Sequence, residues 1–131
     1  SKMLFLQGES ANKDGTKEEI EQYASVIEGY YNYFKGQNIE FLFLPIPNKE
    51  NIYYEMFPSQ KKPLLLSSLI KELEERNVPV IDMQTAFDNA YKKEGKTLYQ
   101  LDDSHWNIEG VEVAARLIDS VLVKGNKIKK Q

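Results

Sequence analysis

The sequence predicts an α/β domain of three layers, in which helices cover both faces of a mostly parallel sheet. Short apolar runs alternate with segments of helical periodicity, and the polar loops that follow the runs would meet at one edge of such a sheet. At 131 residues the chain is long enough for one hydrophobic core and too short for a second domain. We predict a single domain over residues 1–125 and a basic tail over residues 126–131.

Three apolar runs are predicted to be strands. They are Met3–Gln7, Ile39–Ile46 and Val78–Asp82. The second run is uniformly apolar after Glu40, as expected for a strand that is covered on both faces. Prolines end this run, because they cannot donate a backbone hydrogen bond to a neighbouring strand.

Four helices are predicted between and after these strands. The first begins at Thr16, which forms a capping box with Glu19, and ends at Gly36. Its tyrosines are expected at the edge of the core rather than on a ligand-stacking surface. The other three helices open at Pro63, span Gln84–Lys93, and run from an N-cap at Asn107 to Gly125.

Composition excludes several classes of function. The net charge of −3 gives no reason to expect a nucleic-acid partner. The chain has no cysteine, which excludes disulfides and thiolate metal sites. The longest apolar run, Phe41–Pro47, is too short to cross a bilayer. The basic cluster near the end of the chain is expected to be a solvated terminus, with attraction to a membrane surface as the alternative.

The chain's only histidine, His105, lies in the segment that carries the most chemistry. Histidine can exchange protons near neutral pH, and a nearby carboxylate can fix its tautomer. Both Asp102 and Asp103 are candidates for that carboxylate. The alternative is that His105 simply caps the helix that follows it.

Other candidate residues lie in loops that follow strands. Ser10 stands where a nucleophilic serine would lie, although an ordinary loop serine is the alternative. Asn48 could donate to an oxyanion or could simply stabilise a turn. A metal site formed by Asp82, Asp103 and His105 lacks a second histidine, so no metal or other cofactor is predicted.

An aromatic segment, Asn51–Ser59, has no clear period. Packing on the core is the favoured interpretation, and a substrate wall is the alternative. A second hypothesis for the whole chain follows from it: a non-catalytic domain that binds a glycan or a protein partner through residues Tyr53 to Phe57.

Residues Tyr99 to Gly110 resemble the SGNH-hydrolase-like domain of the AlgX/AlgJ group, periplasmic proteins that O-acetylate exported polysaccharides such as alginate. The family's hallmark is a tyrosine, a short gap, Asp-x-His-Trp and a glycine on the next helix. Residues 43–49 resemble the family's Pro-x-(Pro)-x-Lys stretch, and Tyr53 and Phe57-Pro58 also look like that family's segment. The similarity spans residues 39 to 118 and implies an SGNH-like, flavodoxin-like fold.

The resemblance implies a Ser-His-Asp mechanism that moves an acetyl group. His105 would be the general base, Asp103 its orienting acid and Ser10 a tentative nucleophile, although the order of ordinary SGNH hydrolases would favour Asp102 as the acid. The tentative substrate-binding residues are Asn48, Lys49, Tyr54 and Trp106. The resemblance also implies a polysaccharide substrate, an acetyl donor such as a membrane acyl carrier protein, and a periplasmic or otherwise extracytoplasmic location.

The chain departs from the family in its nucleophile. In the AlgX/AlgJ group the serine lies in a Gly-Asp-Ser-like block well after Asp-x-His, and no such block follows His105 here. In ordinary SGNH hydrolases the serine follows the first strand, where this chain has Gly8-Glu9-Ser10. The chain is therefore expected to be either a fragment without its nucleophile or a compact variant that uses Ser10.

Overall fold

The computed structural model describes residues 2–5 and 14–129, with side chains up to Lys124. This part of the chain is mainly helical. Its helices are α1 (Lys17–Gly36), α2 (Lys49–Ile52), a short 3₁₀ helix (Tyr54–Met56), α3 (Leu65–Glu75), α4 (Met83–Lys92) and α5 (Ile108–Lys129).

The start of α1 confirms the predicted capping box. The Thr16 hydroxyl accepts the backbone N–H of Glu19 at 3.1 Å, and the Glu19 carboxylate accepts the N–H of Thr16 at 2.8 Å. The helix ends at Gly36, as predicted. The expectation of core-edge tyrosines holds for Tyr31, which packs against a buried cluster, whereas Tyr30 on a neighbouring face is 58% exposed.

The start of α5 is confirmed, and its predicted end is wrong. The Asn107 side chain accepts the backbone N–H of Gly110 at 3.0 Å, which is the N-cap geometry expected. The helix then continues through Gly125 to Lys129. A single glycine inside a helix costs only about 1 kcal/mol relative to alanine, so Gly125 does not suffice to end a helix.

The predicted three-layer α/β/α fold with a parallel sheet is wrong for the described residues. The structure is 57% helix and 3% strand, and no sheet forms within residues 2–5 and 14–129. Pairing is limited there to two isolated bridges, a parallel one between Phe43 and Val80 and an antiparallel one between Tyr99 and Trp106. Part of the first predicted strand, residues 6–7, lies outside the described residues.

Two prolines explain why the parallel pairing goes no further. The N–H of Phe43 donates to the carbonyl of Pro79, and the N–H of Ile81 donates to the carbonyl of Phe43, each at 2.9 Å. The next bonds of a parallel ladder would need the N–H groups of residues 45 and 79. Both residues are prolines and have no N–H, so the ladder stops after one residue pair.

Two buried clusters hold the helices together. The larger one joins α2, α4, α5 and residues 98–99, and its members are Ile52, Tyr53, Ile81, Met83, Phe87, Ala90, Leu98, Tyr99 and Ala114. The smaller one lies between α1 and α3 and contains Ala24, Leu73 and Val78. Burial of Tyr53 confirms the packing interpretation of the aromatic segment, although this segment is helical rather than a loop.

Candidate functional site

Residues 98–107 form a loop whose two ends are tied together. The N–H of Gln100 donates to the carbonyl of His105, and the N–H of Asn107 donates to the carbonyl of Leu98, both at 3.0 Å. The Asn107 amide also donates to the carbonyl of Thr97 at 2.6 Å. The irregular segment between these anchors is therefore held at the start of α5.

Asp103 and His105 form a pair within this loop. One Asp103 carboxylate oxygen accepts the backbone N–H of His105 at 2.6 Å and also contacts the imidazole Nδ1. In the neutral imidazole this contact places the proton on Nδ1 and leaves Nε2 as the acceptor. A general base needs this arrangement, because the orienting carboxylate and the incoming proton must use opposite nitrogens.

The electrostatics of the pair agree with this geometry. The hydrogen bond from the backbone N–H of His105, and then that from its imidazole, hold the pKa of the Asp103 carboxyl below its usual value. Asp103 therefore stays ionised at neutral pH and can stabilise a positively charged imidazolium. The structure pairs His105 with Asp103 rather than with Asp102.

His105 borders an open cleft with a volume of about 590 Å³, and Asp103 contacts the imidazole of this residue. Its lining residues are Ile46, Pro47, Asn48, Lys49, Tyr99, Ser104, His105 and Trp106. The His105 side chain is 84% exposed, so a substrate in the cleft could reach it. The cleft thus brings together four predicted site residues from two distant parts of the sequence: Asn48, Lys49, His105 and Trp106.

Two predicted site residues are not placed at this cleft. Tyr54 lies on the 3₁₀ helix, where its hydroxyl accepts a hydrogen bond from Lys92 Nζ at 2.6 Å, and the same Nζ lies 4.8 Å from its ring centroid. Ser10 lies outside the described residues. The structure consequently gives no position for the tentative nucleophile.

The cleft residues have distinct surroundings. Lys49 is 1% exposed, and its ammonium points at backbone carbonyls. The Asn48 side-chain amide lies 3.4 Å from a Glu50 carboxylate oxygen. Trp106 is half-buried, and its ring lies 5.2 Å from that of Phe87 in the larger core. Of these residues, Trp106 therefore connects the cleft directly to the core.

Sequence reasoning missed the contact that joins the two motifs. The buried Tyr99 hydroxyl donates a hydrogen bond to the carbonyl of Pro47, so the residue that opens the Asp-x-His block is tied to the proline segment. Ser104 and Ile46, which also line the cleft, were not singled out as site residues. Both motifs were visible in the sequence, but no spacing rule predicts a contact across 52 residues.

A metal centre finds no support in the described residues. Asp82 caps α4, where its carboxylate accepts the backbone N–H of Thr85 at 2.9 Å and the Thr85 hydroxyl at 2.6 Å. Residues 2–5 and 14–129 contain no group of three or more histidine, aspartate and glutamate side chains that could hold a metal ion. Asp82 is thus engaged in holding the start of a helix.

A larger cavity than this cleft is not the candidate site. It measures about 760 Å³ and lies between the end of α1, residues 39–42 and α5, where Tyr31, Phe41 and Val121 contribute to its wall. Its lining includes no histidine. Because acid–base chemistry needs titratable groups in mutual contact, we place the candidate site at the smaller cleft beside His105.

An imidazole oriented by a carboxylate at an open cleft is typical of hydrolases and acyl transferases that act through a Ser-His-Asp mechanism. The sequence profile of the family described as "SGNH hydrolase-like domain, acetyltransferase AlgX" matches residues 2–131. The chain therefore belongs to this family, which confirms the resemblance seen in its motifs.

No curated protein and no solved structure matches the chain significantly. Within the part of the chain that the structure describes, none of the helices combines the length and the apolar character that a membrane span requires.

Proposed function

We propose that this chain supplies the acid–base half of an SGNH-type acetyl transfer to a polysaccharide, with His105 as general base and Asp103 as its orienting acid. One observation carries the proposal: a single Asp103 oxygen contacts both the backbone N–H and the Nδ1 of His105 at the edge of a cleft. Family membership supports the acetyl group as the moiety that is transferred.

The reaction has two halves that use the same nitrogen of His105. A serine hydroxyl attacks the carbonyl carbon of the acetyl donor while Nε2 takes the hydroxyl proton, and the donor's leaving group then takes this proton as acetyl-serine forms. A sugar hydroxyl next attacks the acetyl-serine and gives its proton to Nε2. The acetyl group moves to the sugar, and the proton returns to the serine oxygen.

Three roles in this proposal follow from the resemblance and from placement at the cleft. Asn48 would donate to the oxyanion that forms in each half-reaction. Trp106 would provide an aromatic wall for a sugar ring. Ser10 is the candidate nucleophile within the chain, and a serine outside this sequence is the other candidate. We further propose an exported polysaccharide as acceptor and an extracytoplasmic location.

The test is hydrolysis of an activated acetyl ester, in which water replaces the sugar. We expect His105→Ala to lower kcat by about 10²–10⁴-fold, because general-base catalysis contributes about that much. Asp103→Asn should lower it as well, since the amide no longer stabilises the imidazolium. Asp102→Asn is the matched control, because this neighbouring carboxylate is not the one that contacts His105.

Two outcomes would decide against parts of the proposal. Equal rates above background for the wild type and His105→Ala would contradict the role of His105. A serine-directed phosphonate should label Ser10 if that residue is the nucleophile, and Ser10→Ala should abolish the labelling. Background hydrolysis without labelling would show that Ser10 is not the nucleophile, and would leave a serine outside this sequence or the non-catalytic function described next.

A second candidate function, non-catalytic glycan binding, is favoured by one observation on α1. Tyr23, Tyr30 and Tyr33 are 48%, 58% and 65% exposed and recur along one helix face. Exposed tyrosines can stack on sugar rings, whereas Tyr54 is engaged by Lys92. If this face binds glycan, the affinity for an acidic oligosaccharide, measured by titration, should fall in Tyr30→Ala and stay unchanged in Tyr54→Ala.

A further inference from the structure

Lys49 is an unusual residue of the cleft because its charged group is buried. It begins α2, and its side chain is almost fully covered, with 1% of the residue exposed. An ammonium in such a position needs its donors satisfied, since desolvating a charge is costly. The hydrogen-bond partners of Lys49 Nζ therefore indicate the role of this residue.

The ammonium binds backbone carbonyl oxygens from two separate segments. Nζ lies 2.7 Å from the oxygen of Leu4, 2.6 Å from that of Gln100 and 2.8 Å from that of Asp103, with the Leu101 oxygen at 3.4 Å. An ammonium has three N–H donors, so the three short contacts can use all of them. The Phe5 ring, with its centroid 5.3 Å from Nζ, adds a cation–π contact.

Apart from that of Leu4, these carbonyls belong to the backbone that carries the acid–base pair. Residues 101–105 form no helix or strand, and backbone N–H groups of the described residues bind only the carbonyls at the two ends of this segment, those of Leu101 and His105. The Asp103 carbonyl binds Lys49, and the Asp103 carboxylate binds His105. Both contacts are made by the same residue, so a shift of its backbone would move the carboxylate relative to the imidazole.

We propose that Lys49 is a positioning residue: its buried ammonium binds three backbone carbonyls and so fixes the segment from which Asp103 orients His105. This role differs from the substrate-binding role that the sequence suggested for Lys49. The importance of the role for catalysis rests on the proposed function of His105, but the geometric claim can be tested without turnover.

The readout is the tautomer of the imidazole, which ¹⁵N NMR reports without overlap because the chain has a single histidine. We expect the wild type to show the proton on Nδ1, held by the Asp103 carboxylate. Lys49→Met keeps the length and apolar stem of the side chain but removes the donors. The Nδ1–H resonance should then be lost or broadened, and the protonated nitrogen should shift towards Nε2.

The matched control is Lys62→Met, which removes a lysine that is partly buried. Lys62 pairs with Asp88, a residue of α4 outside the candidate site. A general loss of stability would affect both variants, whereas only Lys49→Met should change the His105 resonances. A folded Lys49→Met with the wild-type tautomer and the wild-type Nδ1–H signal would overturn the proposal.

Lys49→Arg covers the case in which Lys49→Met does not fold. Arginine keeps the charge, but its planar fork cannot place three donors on carbonyls that converge on one atom. We expect a folded protein with a shifted Nδ1–H resonance, and an unchanged resonance in folded Lys49→Arg would overturn the proposal. Failure of the proposed function is distinguishable, since it is read from ester hydrolysis by His105→Ala.

Discussion

The α1–α3 pair and the loop of residues 98–107 are stabilised in different ways. The two helices form their own backbone hydrogen bonds and meet through apolar side chains such as Ala24 and Leu73. The loop forms few backbone bonds of its own and depends on side-chain anchors, namely Lys49 from a distant part of the chain and Asn107 at its own end. Local sequence therefore determines the structure of α1 and α3, whereas the conformation of the loop depends on contacts with distant residues.

From this difference we expect the candidate site to be more sensitive to single substitutions than the helix pair. Removing one apolar contact between α1 and α3 leaves the helices intact, because their caps and periodicity remain. Removing one polar anchor of the loop leaves carbonyls without donors, including the partly buried ones that Lys49 binds, and a carbonyl left unpaired in a buried position costs about 1–3 kcal/mol. The following substitutions test the comparison, beginning with the largest expected effect.

Phe87→Ala should be the most destabilising change, at about 3–5 kcal/mol, because it opens a cavity in the larger core. Phe87 is fully buried and contacts both Tyr99 and Trp106, which lie near the two ends of the loop. Urea unfolding followed by far-UV circular dichroism measures the effect. A loss below about 1 kcal/mol would mean that the loop does not depend on this core.

Gly110→Ala should destabilise the protein by about 1–3 kcal/mol through overpacking. A Cβ at this position would lie 2.4 Å from the carbonyl oxygen of Leu98, which is backbone and cannot move aside easily. Gly29→Ala in α1 is the control with the opposite sign. A Cβ there meets nothing within 4 Å, so alanine should stabilise the helix by about 0.5–1 kcal/mol.

Asn107→Ala should cost about 0.5–2 kcal/mol, because it removes the N-cap of α5. It also releases the carbonyl of Thr97, so its cost should exceed that of Thr16→Ala, which removes the cap of the exposed start of α1. Thermal unfolding of both variants measures the difference. Equal costs would show that Asn107 contributes to the loop no more than an ordinary cap does.

The smallest expected effect is the pH dependence that Asp103 introduces. Its folded pKa lies below the usual value of 3.8, so its contribution to stability is present above that pH and is lost as the pH falls through the lowered value. The wild type should therefore lose more stability than Asp103→Asn between about pH 5 and pH 2. Identical pH profiles of the melting temperature would contradict a stabilising contact with His105.

The sequence predicted the four longer helices well because their signals are local, and it missed α2 and the 3₁₀ helix. Thr16 and Glu19 are three residues apart, and Asn107 immediately precedes the apolar periodicity of α5. The sheet was predicted wrongly because apolar runs indicate burial but not pairing. The sequence nevertheless contains the reason why the parallel pairing stops, since Pro45 and Pro79 lack the N–H donors that further ladder bonds need.

The candidate site was predicted in part. The Asp-x-His pattern and the family resemblance selected Asp103 and His105. Their spacing of two residues lets one carboxylate contact both the backbone N–H and the Nδ1 of His105. The carbonyl contacts of Lys49 could not be predicted, because any main-chain oxygen can accept a hydrogen bond. Which oxygens accept one depends on the fold and not on residue type.

The contacts of Lys49 also bear on the order of events during folding. They join residues separated by 45, 51 and 54 positions along the chain, so the loops that they close are long. Closing long loops has an entropic cost that local helix formation does not have. We therefore expect α1 and α5 to form early and the loop around His105 to become ordered last, so that a partly folded chain would be helical without an assembled site.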